Sequence, residues 1–417
     1  MPPQRRCAKG AAILFIALGA GGALAGADCG SSNVTGPTPP PPSPSPPPPP
    51  GQPNCHALNY PGATGGARIQ NAIDDASCST VYIHPDGPDG GVWLIDRTLT
   101  LRSNQTLTTA DEARRPTLRA AAVIRLMAAE RVTDVTLRRL TLDGARSGLT
   151  GVLVVASARV EFTQGRITRM RQFGIVVRDL PPSSAIRINR SAFEDNGFID
   201  VRTQTNDRNA FHSQITVEDN TMHGTTYGVA FANCGGTSGA ACVARNNQMK
   251  PKRSDPGTGL DLNRSHHAIV TGNRVLGLGD TCAPGVTCRC GYGFTIDDTQ
   301  NATITGNTVE GCTQEGIVLG NGAVPENRPW YVSGNMIADN TVRCNGGLGL
   351  GAFRNENDPM DNNMFNVFRN NRIEGNAAGG CASNGISNSF FGNGPQACLP
   401  QGAPATLRRW LERRRSF

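Results

Sequence analysis

The chain has 417 residues, of which 50 are glycine and 29 are proline, and a formal net charge of +7 at pH 7. The excess positive charge lies at the two ends, since residues 1–27 carry three basic side chains and residues 401–417 carry five arginines against one glutamate, which leaves residues 28–400 neutral. A neutral body lacks the broad basic surface that nucleic-acid binding requires, so we expect no nucleic-acid partner.

The N-terminus has the pattern of an export signal. Arg5, Arg6 and Lys9 precede the apolar run AAILFIALGA, which is followed by small residues. This order predicts a signal peptide over residues 1–27 and a secreted or cell-surface protein. The run is shorter than the roughly 20 residues of a spanning helix, and no later segment is as apolar, so we expect no transmembrane domain. Cys29 offers a site for a lipid anchor, the alternative to free release.

Residues 28–53 are predicted to form a proline-rich linker. The stretch GPTPPPPSPSPPPPPGQP favours an extended spacer, because each proline ring fixes φ and removes a backbone donor. We expect the folded domain to span residues 54–400. The basic segment TLRRWLERRRSF indicates a helix within a C-terminal tail, residues 401–417.

Twelve of the thirteen cysteines lie after residue 27. An even number in an exported chain favours disulfides, and two spacings fit bridges between neighbouring turns of chain, Cys234–Cys242 and Cys290–Cys312. The alternative is a metal knuckle made by Cys282, Cys288 and Cys290, but no fourth ligand stands at zinc-finger spacing.

The folded domain opens with one helix and then changes to strands. In ARIQNAIDDASC, residues 67–78, apolar side chains recur at helical spacing on one face, at Ile69, Ala72, Ile73 and Ala76. The next segments, STVYIHP, VWLIDRTLTLRSNQTL and VTDVTLRRLTLDG, alternate apolar with polar residues, which predicts strands with one buried face. We expect the helix to cap the open edge of these strands.

Beyond residue 131 the chain repeats a loose unit without helices. Each unit has an asparagine at a turn, at Asn220, Asn247, Asn273, Asn307, Asn340 and Asn371. Each also has a glycine that begins a run of alternating apolar residues, at Gly151, Gly174, Gly228, Gly259, Gly293, Gly316 and Gly347. The asparagines recur every 26 to 34 residues, and this irregular period predicts a β-solenoid whose turns carry a hydrogen-bonded asparagine ladder.

The opening ARIQNAIDDA and STVYIHP, followed by LTLRSNQTL, resembles the start of many proteins of the pectate-lyase superfamily. In that superfamily a capping helix precedes the first coil of strands. Together with the repeats, the resemblance covers roughly residues 60–395. It implies an all-β fold, the right-handed parallel β-helix with an N-terminal capping helix. The superfamily includes lyases, glycoside hydrolases, epimerases and non-catalytic rods, so this fold alone leaves the chemistry open.

Stacking the glycine-initiated runs places alternate side chains on one outer wall. The fifth residues of the runs are predicted to form one row, Val155, Arg178, Arg202, Ala232, Asn263, Asp297 and Gly320. The third residues add Asp200 and Asp261, and Asp298 follows Asp297 directly. We therefore expect Asp261, Asp297 and Asp298 to be catalytic, as general acid and base or as ligands of Ca²⁺ beside a uronate. No other cofactor is indicated.

Polar neighbours of these aspartates are predicted to bind the substrate. Arg178 and Arg202 are suited to neutralising a sugar carboxylate, and Asn263 is predicted to lie in the same row. His266, in NRSHHA, offers a base at the edge of the Asp261 coil; a surface histidine without a role is the alternative.

The segment GYGFTIDDTQNATITGNTVEGCTQEGIVLG is similar in layout to the catalytic coil of alginate C5-epimerases. Tyr292 and Gly293 match that coil and Asp298 matches its final acid, which implies that Tyr292 contacts the substrate. Thr295 stands where the epimerases have Asp, and Asp297 where they have His.

Three functions fit these expectations. The first is an extracellular polysaccharide lyase or glycoside hydrolase that works along the outer wall. The second is a non-catalytic, adhesin-like rod that binds surface glycan, and the third is a structural rod without a ligand. An aromatic content of 5 % counts against glycan binding, since sugar sites use aromatic platforms. The first two predict a monomer whose partner is a polysaccharide or a cell-surface glycan.

Overall fold

The computed structural model describes residues 55–396 with gaps at 182–183, 206–209, 253–256, 278–280, 284–285, 288–289, 321–329, 354–360 and 386. The expected signal peptide, linker and basic tail lie outside the described residues, as do Cys29 and Cys288. In the part of the chain that the structure describes, no helix has the length and apolar character needed to cross a membrane.

The chain winds into a right-handed parallel β-helix, as predicted, and each coil adds one strand to each of three sheets. Sheet A contains Thr80–Ile83, Gln105–Thr109, Thr133–Arg138, Ala158–Thr163, Ile186–Asn189, Ile215–Glu218, Val243–Arg245, Ile269–Thr271, Thr303–Thr305, Met336–Ala338, Val367–Arg369 and Ser389–Phe391. Sheet B contains Trp93–Ile95, Thr117–Ala120, Thr141–Asp143, Arg166–Thr168, Ala192–Glu194, Thr221–His223, Gln248–Lys250, Arg274–Leu276, Thr308–Glu310, Thr341–Arg343, Arg372–Glu374 and Gly394–Pro395. Sheet C contains Leu99–Thr100, Arg125–Glu130, Thr150–Val155, Phe173–Arg178, Ile199–Gln204, Tyr227–Ala232, Thr258–Asn263, Tyr292–Asp297, Ile317–Leu319, Leu348–Ala352 and Gly379–Ser383.

The turn between sheets A and B has two residues in every coil from Thr133–Arg138 onward. Its first residue has positive φ, and its second is asparagine in most coils. The predicted asparagines all stand at this second position, where the side-chain amide of one rung donates to the side-chain oxygen of the next, for example Asn273 Nδ2 to Asn307 Oδ1 at 3.1 Å and Asn307 Nδ2 to Asn340 Oδ1 at 2.9 Å. This confirms the predicted ladder, which holds the rungs at constant spacing.

The other two turns of each coil vary in length and both border sheet C. The turn from sheet B to sheet C has three residues after Thr221–His223 but fifteen after Arg274–Leu276, and the latter includes the short antiparallel pair Thr281–Ala283 and Val286–Thr287. After sheet C, two long turns contribute Trp330–Ser333 and Asp361–Met364, which pair in parallel. The irregular period of the sequence therefore arises at the borders of sheet C.

One helix covers the start of the coil. It runs Gly65–Asp74, with Thr64 as N-cap, rather than over residues 67–78 as predicted. It ends early because the Asp75 carboxylate accepts the Ser77 backbone N–H at 2.9 Å in a non-helical turn, so Ala76 lies outside it. The helix contacts the first strand of all three sheets, which confirms its capping role. The other helices among the described residues are single 3₁₀ turns, Ala57–Asn59 and Ser238–Ala240.

Disulfides join neighbouring turns of chain. The predicted pairs Cys234–Cys242 and Cys290–Cys312 are both present, and a third bridge links Cys55 to Cys78 beside the capping helix. Because Cys290 is bonded to Cys312, it is not available as the thiolate of a metal knuckle.

Candidate functional site

The outer face of sheet C carries two parallel rows of side chains. Side chains such as Ile175 and Val177 fill the core, so the residues that alternate with them face outward. The first row, called the Asp261 row, contains Val176, Arg202, Ala230, Asp261, Thr295 and Val318. The second, called the Asn263 row, contains Val155, Arg178, Gln204, Ala232, Asn263 and Asp297.

The predicted register is wrong for the strand Ile199–Gln204. Arg202 pairs with Val176 and Ala230, so it lies in the Asp261 row and not level with Arg178. The shift of two residues keeps Arg202 on the outer face but moves it into line with the carboxyl group that we expected to be catalytic.

Asp200 is also misplaced by the predicted register. It stands level with Gly174, has no exposed surface, and therefore is not on the outer wall. This coil has an aspartate where its neighbours have the glycine from which the runs were counted. Gly347 is displaced in the same way, since Gly349 is the residue level with Gly316.

Asp261 is a partly exposed carboxyl group in the middle of its row. Thr295 Oγ1 donates a hydrogen bond to Asp261 Oδ1 at 2.5 Å. Desolvation by the surrounding protein raises the pKa of Asp261 to about 6, and the hydrogen bond from Thr295 and the charge of Arg202 oppose a larger rise. A carboxyl group with this pKa exchanges its proton near neutral pH, as general acid–base catalysis requires.

A gap separates Asp261 from Arg202. Ala230 lies between them in the row, so the two charged residues stand two strands apart, roughly 10 Å along the rod. The short side chains of Ala230 and Ala232 leave the sheet surface low at this rung. Within the described residues Arg202 makes no hydrogen bond or ion pair, and its guanidinium carbon lies 5.3 Å from the centre of the Phe173 ring. The gap is therefore bounded by one cation and one acid, with Ala230, which is 7 % exposed, between them.

Asp297 and Asp298 lie on the next coil and are nearly buried, with 6 % and 5 % of their surface exposed. Asp298 Oδ2 is 3.5 Å from Arg264 Nε, and its Oδ1 accepts the Tyr331 backbone N–H at 3.2 Å. The structure thus brings the three predicted catalytic aspartates to adjacent coils, where Asp261 is partly exposed and Asp297 and Asp298 are nearly buried.

His266 lies in the turn from sheet C to sheet A. Its ring centre is 5.0 Å from that of Phe211, and its Nδ1 accepts the Gln300 backbone N–H at 3.1 Å. Burial, followed by the charges of Arg264 and His267, lowers the pKa of His266 to about 4. The imidazole is therefore neutral at physiological pH, and one of its two nitrogens is already engaged.

The remaining predicted substrate contacts differ in exposure. Arg178 and Asn263 are partly exposed in the Asn263 row, and Arg178 Nε lies 3.5 Å from Asp179 Oδ2. Tyr292 is 7 % exposed and packs in an apolar cluster with Val318, Leu348, Phe353 and Ala382. Its ring contributes to packing over the C-terminal coils of sheet C.

Two residues that shape the gap carry no conventional sign of function in the sequence. Thr295 supplies the hydrogen bond that Asp261 accepts, and Ala230 supplies the space beside it. A threonine and an alanine in strands are ordinary residues, so only the register of sheet C reveals their positions.

The model of the family described as periplasmic copper-binding protein (NosD) matches residues 161–376, just over half of the chain. The chain belongs to the NosD family. The match covers every residue of the Asp261 row, and all of the Asn263 row except Val155. No curated protein sequence matches the chain.

The described residues of this NosD-family chain do not fit a copper centre. Among them, no group of three or more His, Cys, Asp or Glu side chains comes together. His56 stacks on Tyr82, and His212 Nε2 lies 2.7 Å from the Gln204 carbonyl oxygen. Described cysteines such as Cys234 are in disulfides and offer no thiolate. We therefore derive no step through copper.

Solved structures share the fold of this NosD-family chain. The mannuronan C-5 epimerase AlgE4 A-module of Azotobacter vinelandii has a TM-score of 0.52 and 14 % identity, covering 84 % of this chain and 98 % of its own. The catalytic unit of a GH87 α-1,3-glucanase from Streptomyces thermodiastaticus has a TM-score of 0.57 and 14 % identity, covering 82 % and 69 %. PfbA, a surface adhesin of Streptococcus pneumoniae, has a TM-score of 0.55 and 11 % identity, covering 81 % and 90 %. At such identities the likeness shows the fold alone, a parallel β-helix, and leaves activity open.

Proposed function

We propose that the protein is a polysaccharide lyase that acts on a uronate-containing polymer at the gap between Arg202 and Asp261. One observation carries the proposal: Arg202, which makes no hydrogen bond or ion pair within the described residues, and Asp261, whose pKa is about 6, stand in one outer row of sheet C with only Ala230 between them. Both groups lie on the rigid strand ladder, which holds catalytic side chains more firmly than a loop does.

The proposed chemistry is β-elimination. Arg202 binds the carboxylate of one uronate through two parallel N–H donors and so withdraws charge from it. Asp261, ionised above about pH 6, accepts the proton from the carbon next to that carboxylate. The released electron pair forms a carbon–carbon double bond, the adjacent glycosidic C–O bond breaks, and the departing oxygen takes a proton from water.

A lyase is favoured over a hydrolase by the exposure of the carboxyl groups. Glycoside hydrolases generally place two carboxyl groups on either side of the scissile bond. Asp297 is the nearest second carboxyl group by register, and only 6 % of its surface is exposed. Elimination needs one accessible base and one cation, which is the pair that the gap offers.

Three further observations support an exported, polysaccharide-directed protein. The chain carries disulfides, which persist in oxidising compartments. The NosD family is described as periplasmic. Two of the solved structures with this fold are named for enzymes of mannuronan and of α-1,3-glucan.

The test is an activity screen of the purified full-length protein on acidic and neutral polysaccharides, with and without Ca²⁺. We expect ultraviolet absorbance from unsaturated uronate ends on an acidic polymer. Asp261→Asn should lower that rate by about 10²- to 10⁴-fold, because the base is lost while the shape is kept. Asp339→Asn, which replaces an exposed acid in a turn between sheets A and B, is the control and should leave the rate unchanged.

Other outcomes overturn the lyase proposal in identifiable ways. New reducing ends without ultraviolet absorbance would indicate a hydrolase. Binding without turnover would indicate a glycan-binding rod. Activity that Asp261→Asn leaves intact would indicate that the reaction takes place at another site. A strict requirement for Ca²⁺ would add a metal ion to the carboxylate-binding part of the gap.

A further inference from the structure

A row of aromatic rings borders sheet C beside the gap. The ring centres of Phe173 and Phe198 are 6.1 Å apart, and those of Phe198 and Tyr227 are 5.5 Å apart, both in edge-to-face geometry. Phe198 is 43 % exposed, although it is a large apolar side chain. Phe173 and Tyr227 are partly exposed on either side of it, so the three rings form one continuous apolar border that solvent reaches in part.

The strand register explains the spacing of these rings. Phe173 and Tyr227 begin two strands of sheet C that flank the strand Ile199–Gln204, and Phe198 directly precedes that strand. The rings therefore lie at successive rungs along the rod axis, with ring centres 6.1 and 5.5 Å apart. This step is close to the length of one pyranose unit in an extended polysaccharide.

Arg202 connects the aromatic row to the gap. It stands in the Asp261 row, yet its guanidinium carbon lies 5.3 Å from the centre of the Phe173 ring. A sugar that stacks on the rings therefore has a cation within reach of its rim. Burial lowers the pKa of Arg202, with partial compensation by Asp261, so an incoming anion would meet a guanidinium that has already lost part of its hydration.

We infer that Phe173, Phe198 and Tyr227 form a stacking platform for uronate units that adjoin the reacting unit. A pyranose ring has an apolar C–H face and a polar rim, so the C–H face of an adjoining unit lies on the exposed Phe198 ring, between the tilted rings of Phe173 and Tyr227, while Arg202 holds the carboxylate of the reacting unit. The polymer then extends from Asp261 over Arg202 towards the N-terminal coils. This inference rests on the proposed function and adds that the substrate is a uronate oligomer that fills several subsites, not a single sugar or a neutral glycan.

The test separates binding from chemistry. Phe198→Ala should raise KM for a long uronate oligomer by about tenfold, with kcat changed less than twofold and the pH profile unmoved. Oligomers too short to reach the platform should show the same KM with both proteins. Phe198→Trp should restore the KM, because it restores a stacking surface. Phe391→Ala, at a phenylalanine that is 58 % exposed on sheet A, is the matched control and should have no effect.

Failure of the inference differs from failure of the proposed function. If the wild-type protein cleaves a uronate polymer and Phe198→Ala behaves like Phe391→Ala, the platform is wrong and the lyase stands. If no polymer is cleaved, the lyase fails, and affinity electrophoresis in the same polymers still tests the platform. Loss of binding in Phe198→Ala would then support it, and equal binding in both variants would overturn it.

Discussion

Glu218 on sheet A and Asp261 on sheet C are both outward-facing acids in the middle of the rod. Glu218 is 2 % exposed and lies between two arginines, with Arg187 Nε 2.7 Å from its Oε1 and Arg245 Nε 2.5 Å from its Oε2. Asp261 accepts one hydrogen bond from a threonine and has its nearest cation two strands away. Among the described residues, two arginines thus contact Glu218, whereas no cation contacts Asp261.

The pKa values follow this difference in opposite directions. Burial tends to raise the pKa of Glu218, but the hydrogen bonds from Arg187 and Arg245 outweigh it and leave the pKa below its ordinary value. Asp143 on sheet B behaves alike, held by Arg119 and Arg169. Desolvation instead leaves the pKa of Asp261 raised to about 6. A paired acid stabilises the coil, whereas an acid without a contacting cation costs stability and remains available for chemistry.

The largest effect is expected from Glu218→Gln. Removing the charge leaves two arginines without a partner, each about half exposed, so the free energy of unfolding at pH 7 should fall by about 2–4 kcal/mol in urea titrations. Because the pKa of Glu218 is depressed, its contribution is fully present above the ordinary pKa of 4.5 and is lost as the pH falls through the lower pKa of the folded protein, so the stabilities of the two proteins should converge in acid. Glu130→Gln, at an exposed strand end, is the control and should change stability little. An equal loss in both variants would contradict the comparison.

A smaller effect of opposite sign is expected from Asp261→Asn. Because the pKa of Asp261 is raised, the wild type loses stability as the pH rises from about 4 to above 6, where the folded protein must ionise a desolvated carboxyl group. The amide keeps the oxygen that Thr295 contacts and removes that cost. The variant should therefore be more stable than wild type by about 1–3 kcal/mol at pH 8 and equal to it near pH 4. Thermal unfolding at both pH values measures this, and a destabilised variant at pH 8 would refute it.

The smallest effect is expected from Thr295→Val. This change keeps the shape but removes the hydrogen bond that favours the ionised form of Asp261, so the pKa of Asp261 should rise further. The midpoint of the kcat/KM profile should move to higher pH by about 0.5–1 unit, with the plateau rate nearly unchanged. A plateau that falls while the midpoint stays would show that Thr295 acts on the substrate instead.

Features that every coil repeats could be predicted from the sequence. The asparagine ladder was predictable because one residue type stands at one point of a two-residue turn, as at Asn273 and Asn307. The two short cysteine spacings predicted their bridges because neighbouring turns of chain lie side by side. Both features depend on contacts between neighbouring turns of chain, and the spacing of residues in the sequence shows which residues come into contact.

Features that depend on the variable turns could not be predicted. Arg202 was assigned to the wrong row because Asp200 interrupts the glycine pattern used for counting. The burial of Asp298 was hidden because its partner, the Tyr331 backbone amide, comes from a long turn 33 residues later. The position of such a segment does not follow from the repeat, so exposure at the site had to come from the structure.

The constant turn between sheets A and B has a consequence for how this scaffold can change. From Thr133–Arg138 onward two residues close that edge in every coil, so these coils differ in length only where the chain approaches or leaves sheet C. Insertions and deletions in these coils therefore lie at the borders of sheet C and leave the repeat of strands along the rod axis intact. A protein with this architecture can acquire a new ligand through changes in the turns that border sheet C, while the turns between sheets A and B stay the same.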